Sequence, residues 1–254
     1  LAIMTTDTRP KSAQREISIA GKAVRIGGIG KGAGMLSPKV ATMLVFVTTD
    51  ARVEAGTLRK ALLAAAEKSF NRVTVDGDMS TNDSVFLLAS GKSGAVGIGE
   101  GTAEYGQFVG GLSEVCVELA KMMAADGEGA TKFVTVRVTG GADDAGALVQ
   151  ARAIANSPLV KTALFGCDPN WGRVLAAAGY AGAPFEEKKA VLKFNGVVAF
   201  RNGVPMPKTG PINDVMKEKE ITIELDLGLG GGVAEIYTCD YSYDYVKINA
   251  EYHT

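Results

Sequence analysis

Chemistry in this chain is bounded first by scarcity. The chain has one histidine, His253, beside the last residue, so a Ser-His-Asp relay would rest on a terminus that frays. Metal catalysis would need an all-carboxylate site or ligands from a partner. Asp76, Asp78 and Asp83 are candidates, weighed against their plainer use in an Asp-Gly-Asp turn that caps the next segment. The run Gly27-Gly28-Ile29-Gly30-Lys31-Gly32-Ala33-Gly34 resembles a phosphate loop, but Gly32 stands where a magnesium-binding Ser or Thr should succeed the lysine. Its plainer content is a cation, Lys31, on a loop with little bulk, where a substrate can approach the backbone. Hydroxyl chemistry remains. Thr5, Thr6, Thr8, Thr42, Thr48 and Thr49 crowd the start of the chain. Thr42 differs in its setting: it comes directly after Ala41 and heads the β-branched run Thr-Met-Leu-Val-Phe-Val-Thr-Thr. Cleavage before it would free an α-amine with a pKa of roughly 7.7 to 8.0, able to serve as base for its own hydroxyl. Composition and spacing leave this scheme beside the ordinary one, a threonine at the head of a strand.

The elements that must position these groups are read from periodicity. Thr42 to Thr49 is a buried strand, and Ile17 to Ile29 a Gly-rich alternating one. Thr57 to Phe70 reads as a helix with Thr57 as N-cap. Val73 to Val75 leads into the polar stretch 76–83, then an apolar segment through Leu88. A helix over Tyr105 to Ala125 stops at Asp126-Gly127. Lys132 to Val138 alternates as a half-buried strand, and a helix over Asp144 to Ala155 ends before Ser157-Pro158. Ala190 to Phe194, Ile221 to Leu227 and Val233 to Cys239 are strands, with Gly228 to Gly232 as a hairpin connection between the last two. Strands and helices mix without a sustained βαβ period, which favours an α+β layered fold over a doubly wound sheet. The Asp126 to Ala130 turn is the natural domain boundary.

Totals set the outer limits. The 254 residues suffice for one large domain or two modest ones, and 46% hydrophobic with 22% charged residues is the composition of a soluble globular protein. A formal net charge of -1 gives no reason to expect nucleic acid or an acidic membrane surface as partner. Cys116, Cys167 and Cys239 are odd in number and widely spaced, against a disulfide framework or zinc knuckle and in keeping with a reducing compartment. No apolar run reaches the ~18 residues of a membrane span, and no signal peptide is visible. The chain opens with Leu1 and an apolar stretch, from which we expect a preceding portion outside this sequence.

Seven segments in order carry a resemblance: Met4 to Thr8, Lys31 to Met35, Ala41 to Leu44, Asp76 to Asp83, Asp126 to Lys132, Asp168 to Arg173 and Tyr245 to Thr254. Together they resemble the ornithine acetyltransferase family, the bifunctional glutamate N-acetyltransferases of arginine biosynthesis. The resemblance implies a layered helix–sheet–sheet–helix nucleophile domain, residues 1–129, and a smaller C-terminal α+β domain, residues 130–254, whose tail returns to the active site. It implies self-cleavage between Ala41 and Thr42, so that Thr42 begins a β chain. Acetyl would then pass from N2-acetylornithine through an acetyl-Thr42 ester to glutamate, without a cofactor or metal, some members also taking acetyl-CoA. Substrate contacts map to Thr5, Lys31, Thr42, Glu128, Asn249 and Thr254. On charge, Lys31 suits a carboxylate and Glu128 an ornithine ammonium. The plainer readings are a solvated turn for Glu128, a strand residue for Thr5 and an ordered tail for Asn249 and Thr254.

The family's oxyanion hole is a Thr-Gly pair that lies upstream of the region present here, so those donors are expected from an α-chain portion outside these residues, and this chain alone is expected to be inactive. An αβ heterotetramer is implied, in the bacterial cytoplasm or, in a eukaryote, a mitochondrion or plastid. Two other classes stay open: an N-terminal-nucleophile amidase or aminopeptidase, with water as acceptor, and a non-catalytic amino-acid-binding protein.

Overall fold

A computed structural model describes residues 2–37 and 43–252. Ala41, Thr42, His253 and Thr254, all named above, lie outside the described residues. The chain divides into two compact units, Leu1–Asp126 and Gly127–Thr254.

In the first unit four strands form one sheet in the order β1-β2-β3-β4. β1 (Lys11–Ile19) and β2 (Lys22–Lys31) are an antiparallel hairpin with Ile19 opposite Lys22. One strand was expected over Ile17 to Ile29. The chain instead reverses at Ala20-Gly21, where both residues have positive φ, 48° and 76°, as a two-residue hairpin turn requires. β3 (Leu44–Thr49) pairs antiparallel with β2 and parallel with β4 (Ser84–Ala89). The crossover between β3 and β4 contains α1 (Ala55–Lys68). Glu54, not Thr57, occupies its N-cap position, and makes no side-chain capping bond.

Helix α2 (Ala103–Ala125) starts where Thr102 accepts the Tyr105 N–H. Its buried Phe108, Leu112, Val115, Leu119 and Met123 recur at helical spacing and pack on the sheet face that carries Val24, Ile26, Val45 and Val47. Gly28 and Gly30 let the helix lie close. A Cβ on Gly28 would stand 2.9 Å from Leu119 Cδ1, and one on Gly30 2.7 Å from Met123 Cε. Burial pushes the Cys116 thiol in this layer up to about 12, against a hydrogen bond with Ser69, so it is unreactive core filling. The opposite sheet face leaves Ile29, Phe86 and Leu88 exposed, with Phe46 stacked on Phe86 at 5.2 Å.

The second unit holds a six-stranded sheet, order β10-β5-β9-β6-β7-β8, built from β5 (Phe133–Gly141), β6 (Val191–Phe194), β7 (Val197–Arg201), β8 (Val204–Pro205), β9 (Glu220–Asp226) and β10 (Gly232–Cys239). Val134, Val136, Leu192, Phe194, Ile223 and Ile236 join one core with Ile154 of α3 (Asp144–Asn156), Leu164 of α4 (Pro158–Phe165) and Leu175 of α5 (Trp171–Gly179). Ser157 caps α4 with Pro158 at its first position, a start signal masked by the stop signal that ends α3. The expected hairpin at Gly228 to Gly232 is corrected. β9 and β10 flank β5 on opposite sides, β9 parallel and β10 antiparallel, so this Gly-rich segment passes over the end of β5. Its contacts explain the composition, since a Cβ on Gly232 would lie 2.2 Å from Asp143 O. Short α6 (Pro211–Val215) and C-terminal α7 (Tyr243–Glu251) complete the unit.

Candidate functional site

A buried carboxylate, Asp7, joins two stretches of the first unit that carry candidate site residues. Asp7 Oδ1 accepts the Gly32 N–H at 2.8 Å, just past Lys31, and Asp7 Oδ2 the Thr5 N–H at 3.3 Å. Thr5 and the Gly32 amide next after Lys31 are thus tied through one side chain. Thr5 sits in a bend and is exposed, so it is not the strand residue of the plainer reading. Asp7 is in turn paired with Lys11 Nζ at 2.6 Å, and that ammonium also meets Asp126 Oδ2 at 2.5 Å. Burial pushes the Asp7 carboxyl up, but Lys11 and the Gly32 and Thr5 amides outweigh it and hold it below the usual carboxylate range. Arg9 and Thr8 complete the cluster on Asp126.

Two more acids pin the chain on either side of the expected cleavage position. Asp76 accepts the N–H groups of Met35 (2.7 Å), Leu36 (3.1 Å) and Asp78 (3.2 Å). Burial nevertheless raises its carboxyl. Asp83 Oδ1 accepts the Met43 N–H at 2.6 Å. Burial pushes Asp83 up to about 6, against the Met43 amide and the charge of Lys31. The Asp-Gly-Asp segment therefore fits the backbone-capping reading better than the metal reading. Lys31 lies opposite Leu44, and Leu44 opposite Ser84, so the cation is in one row with the residues next after Met43 and Asp83.

In the second unit the structure brings Glu128 and Asn249 together: Asn249 Nδ2 donates to Glu128 Oε2 at 2.8 Å. The turn bearing Glu128 is built rather than merely solvated. Asp240, fully buried, accepts the Thr131 N–H at 2.8 Å and the Lys132 N–H at 2.9 Å. Ser242, which caps α7 by accepting the Asp244 N–H, donates to Gly129 O at 2.5 Å. Gly129 has φ 67°, and a Cβ there would stand 2.4 Å from Tyr245 N. The substitution Gly129→Ala combines a left-handed penalty with that clash, so a loss of about 2 kcal/mol or more is expected. Urea unfolding monitored by far-UV dichroism measures it. An alanine variant as stable as the parent would show that this turn does not press on α7.

Sequence reasoning missed Asp7, Lys11 and Asp240, and it named Asp83 only as a metal candidate or turn acid, not as the acceptor of the Met43 N–H. Their partners lie far off in sequence, up to 115 residues for Lys11 and Asp126. A buried charge pattern of that range leaves no local spacing to read. Thr42, Ala41 and Thr254 lie outside the described residues. No described helix is long and apolar enough to cross a membrane.

Comparison with known proteins gives one answer throughout. The ArgJ family model matches residues 1–254. The arginine biosynthesis bifunctional protein ArgJ of Desulfotalea psychrophila is 48% identical over 255 residues, covering all of this chain and 65% of that protein. Its counterpart in Geobacter sulfurreducens is 49% identical with the same coverage. The chain thus spans just under two thirds of the length of these relatives. The crystal structure of the arginine biosynthesis bifunctional protein argJ from Bacillus halodurans superposes with a TM-score of 0.77 at 39% identity, covering 82% of this chain and 98% of that one.

Proposed function

This chain belongs to the ArgJ family, and from that premise we propose that it carries the nucleophile of a self-cleaving acetyltransferase that moves acetyl from N2-acetylornithine to glutamate. Hydrolysis of the Ala41–Thr42 bond frees the Thr42 amine. The Thr42 hydroxyl adds to the acetyl carbonyl while that amine takes its proton. Collapse of the tetrahedral intermediate expels ornithine, which receives the proton, and leaves an acetyl-Thr42 ester. The glutamate amine attacks the ester, giving N-acetylglutamate and free Thr42, a ping-pong exchange without a cofactor. Acetyl-CoA is an alternative donor in the same scheme.

The observation that carries this reading is the register across β2 and β3, which sets Lys31 opposite Leu44, two residues after Thr42. A substrate carboxylate held by Lys31 is thereby near the head of β3. Glu128, oriented by Asn249, supplies the anion for the ornithine ammonium, and Thr5 and Thr254 complete the substrate contacts. The donors for the oxyanion come from an α-chain portion beyond these 254 residues, and two αβ pairs assemble as a heterotetramer. The Bacillus halodurans chain offers support, since the share of this chain it covers is close to the share that begins at Thr42.

Intact-mass measurement after incubation of the complete gene product with acetylornithine tests the proposal. A single added acetyl group on a fragment starting Thr-Met-Leu-Val is expected, removed on addition of glutamate. Release of free acetate in place of acetylglutamate would make the protein an amidase, and no acetylation at all would leave a binding protein.

A further inference from the structure

The helix that carries Asn249 has no core of its own to rest on. None of the residues of α7 is buried, so the packing that usually places a helix is missing here. Its placement comes from the corner before it, residues 238–242. Lys161 of α4 is buried beneath that corner. Its Nζ donates to Thr238 Oγ1 at 2.8 Å and to Cys239 O, and stands 4.7 Å from the centroid of the Tyr241 ring. Tyr241 in turn stacks on Tyr245 of α7 at 4.6 Å. Ser242 then works in two directions. Its Oγ accepts the Asp244 N–H at 3.1 Å, which starts the helix, and donates to Gly129 O at 2.5 Å, in the residue next after Glu128. A serine hydroxyl has the one donor and the lone pair that these two contacts need. One side chain thereby joins the Glu128 turn to the helix bearing Asn249.

That joint decides what the pair presents. Asn249 Nδ2 donates to Glu128 Oε2 at 2.8 Å and to Tyr245 O at 3.0 Å. Both neighbours are acceptors, so the amide nitrogen faces them and its two protons are used. An incoming group therefore meets acceptors from this pair, the Asn249 carbonyl oxygen and the remaining lone pairs of the carboxylate. These suit an ammonium and offer a methyl group of the same size no partner. We propose that Ser242 is the positioning residue for the substrate's side-chain ammonium: by tying Gly129 to the start of α7 it keeps Asn249 against Glu128, and so sets the preference for ornithine over its uncharged isostere. This rests on the role given to Glu128 in the function proposed above. Ser242 acts through Glu128 and Asn249 and has no substrate contact in this scheme.

Calorimetric binding tests this without relying on turnover. The complete gene product is titrated with ornithine and with norleucine, in which a methyl group replaces the ammonium, and the ratio of the two affinities is read. Ser242→Ala loses both contacts, and the preference for ornithine is expected to fall about tenfold. Ser242→Gly leaves the helix start nearly as stable but has no donor for Gly129 O, so its ratio is expected to fall as far. Ser242→Thr keeps a hydroxyl for both contacts and is expected to keep the parent's ratio. A merely structural role would weaken both amino acids alike, so an unchanged ratio in the alanine or the glycine variant overturns the proposal. Equal binding of the two amino acids by the parent also overturns it. A parent that prefers ornithine yet transfers no acetyl would sink the transferase reading alone, because the affinity ratio is still measured there.

Discussion

Thr42→Ala yields a single uncleaved polypeptide with no acetyl transfer. The expected loss is at least ~10⁴-fold in turnover, on the scale seen when a covalent nucleophile is removed from an enzyme that depends on it. Both functions are expected to disappear together, because in the proposed scheme one side chain attacks its own preceding carbonyl during processing and the substrate carbonyl afterwards. Thr42→Ser separates the two uses. It keeps a hydroxyl and, after cleavage, an amine, so cleavage and a reduced rate should persist. Electrophoresis under denaturing conditions reports the cleavage, and chromatographic separation of ornithine from acetylornithine reports the transfer. Two bands in the alanine variant would remove Thr42 from the scheme.

Lys11→Met should unfold the first unit at markedly lower denaturant. The Lys11 side chain is about 1% exposed between Asp7 and Asp126, both similarly hidden. Methionine matches its length but leaves two buried carboxylates facing each other, a defect that typically costs about 3–5 kcal/mol. The sign with pH comes from Asp7. Its carboxyl is held low in the parent, so the parent's stability is present above the ordinary carboxylate pKa and lost as pH falls through the lowered one. In the variant the repulsion is relieved by protonation, so the deficit narrows as pH is lowered. Urea titrations of parent and variant at neutral and mildly acidic pH measure both effects. A loss below about 1 kcal/mol would place this cluster among surface ion pairs. Because Asp7 also holds Thr5 and Gly32, the variant should bind substrate more weakly even where it remains folded.

The architecture was legible where hydrophobic period and caps coincide. α2, α3, β3 and β5 all lie within a few residues of where the alternation of Val, Leu and Ala puts them. It was not legible where a signal has two meanings. Gly228 to Gly232 has the composition of a hairpin turn, yet serves a crossover packed on Asp143. Ala20-Gly21 is a true hairpin turn hidden inside a run whose Gly28 makes room for α2. Ser157-Pro158 ends one helix and starts the next. Of the candidate site, Lys31, Glu128 and Asn249 were named through the resemblance, but Asp7 and Asp240, which order the neighbouring backbone, were not. Asp83 read as a turn acid because its Met43 contact spans 40 residues and depends on β3 lying beside β4.

The pairing of β2 with β3 has a consequence for the protein's life after processing. A cut between Ala41 and Thr42 would leave β2 on one polypeptide and β3 on the other, joined by the ladder from Ile26↔Thr49 to Lys31↔Leu44. Before the cut, the connecting segment keeps the two strands at an effective concentration in the millimolar range. After it, the same hydrogen bonds become a subunit contact governed by mass action, and the folded state acquires a concentration dependence it did not have. Folding must then precede scission. Once dilute fragments have come apart, their return is a bimolecular encounter, so processing would make the mature fold a one-way product of the precursor.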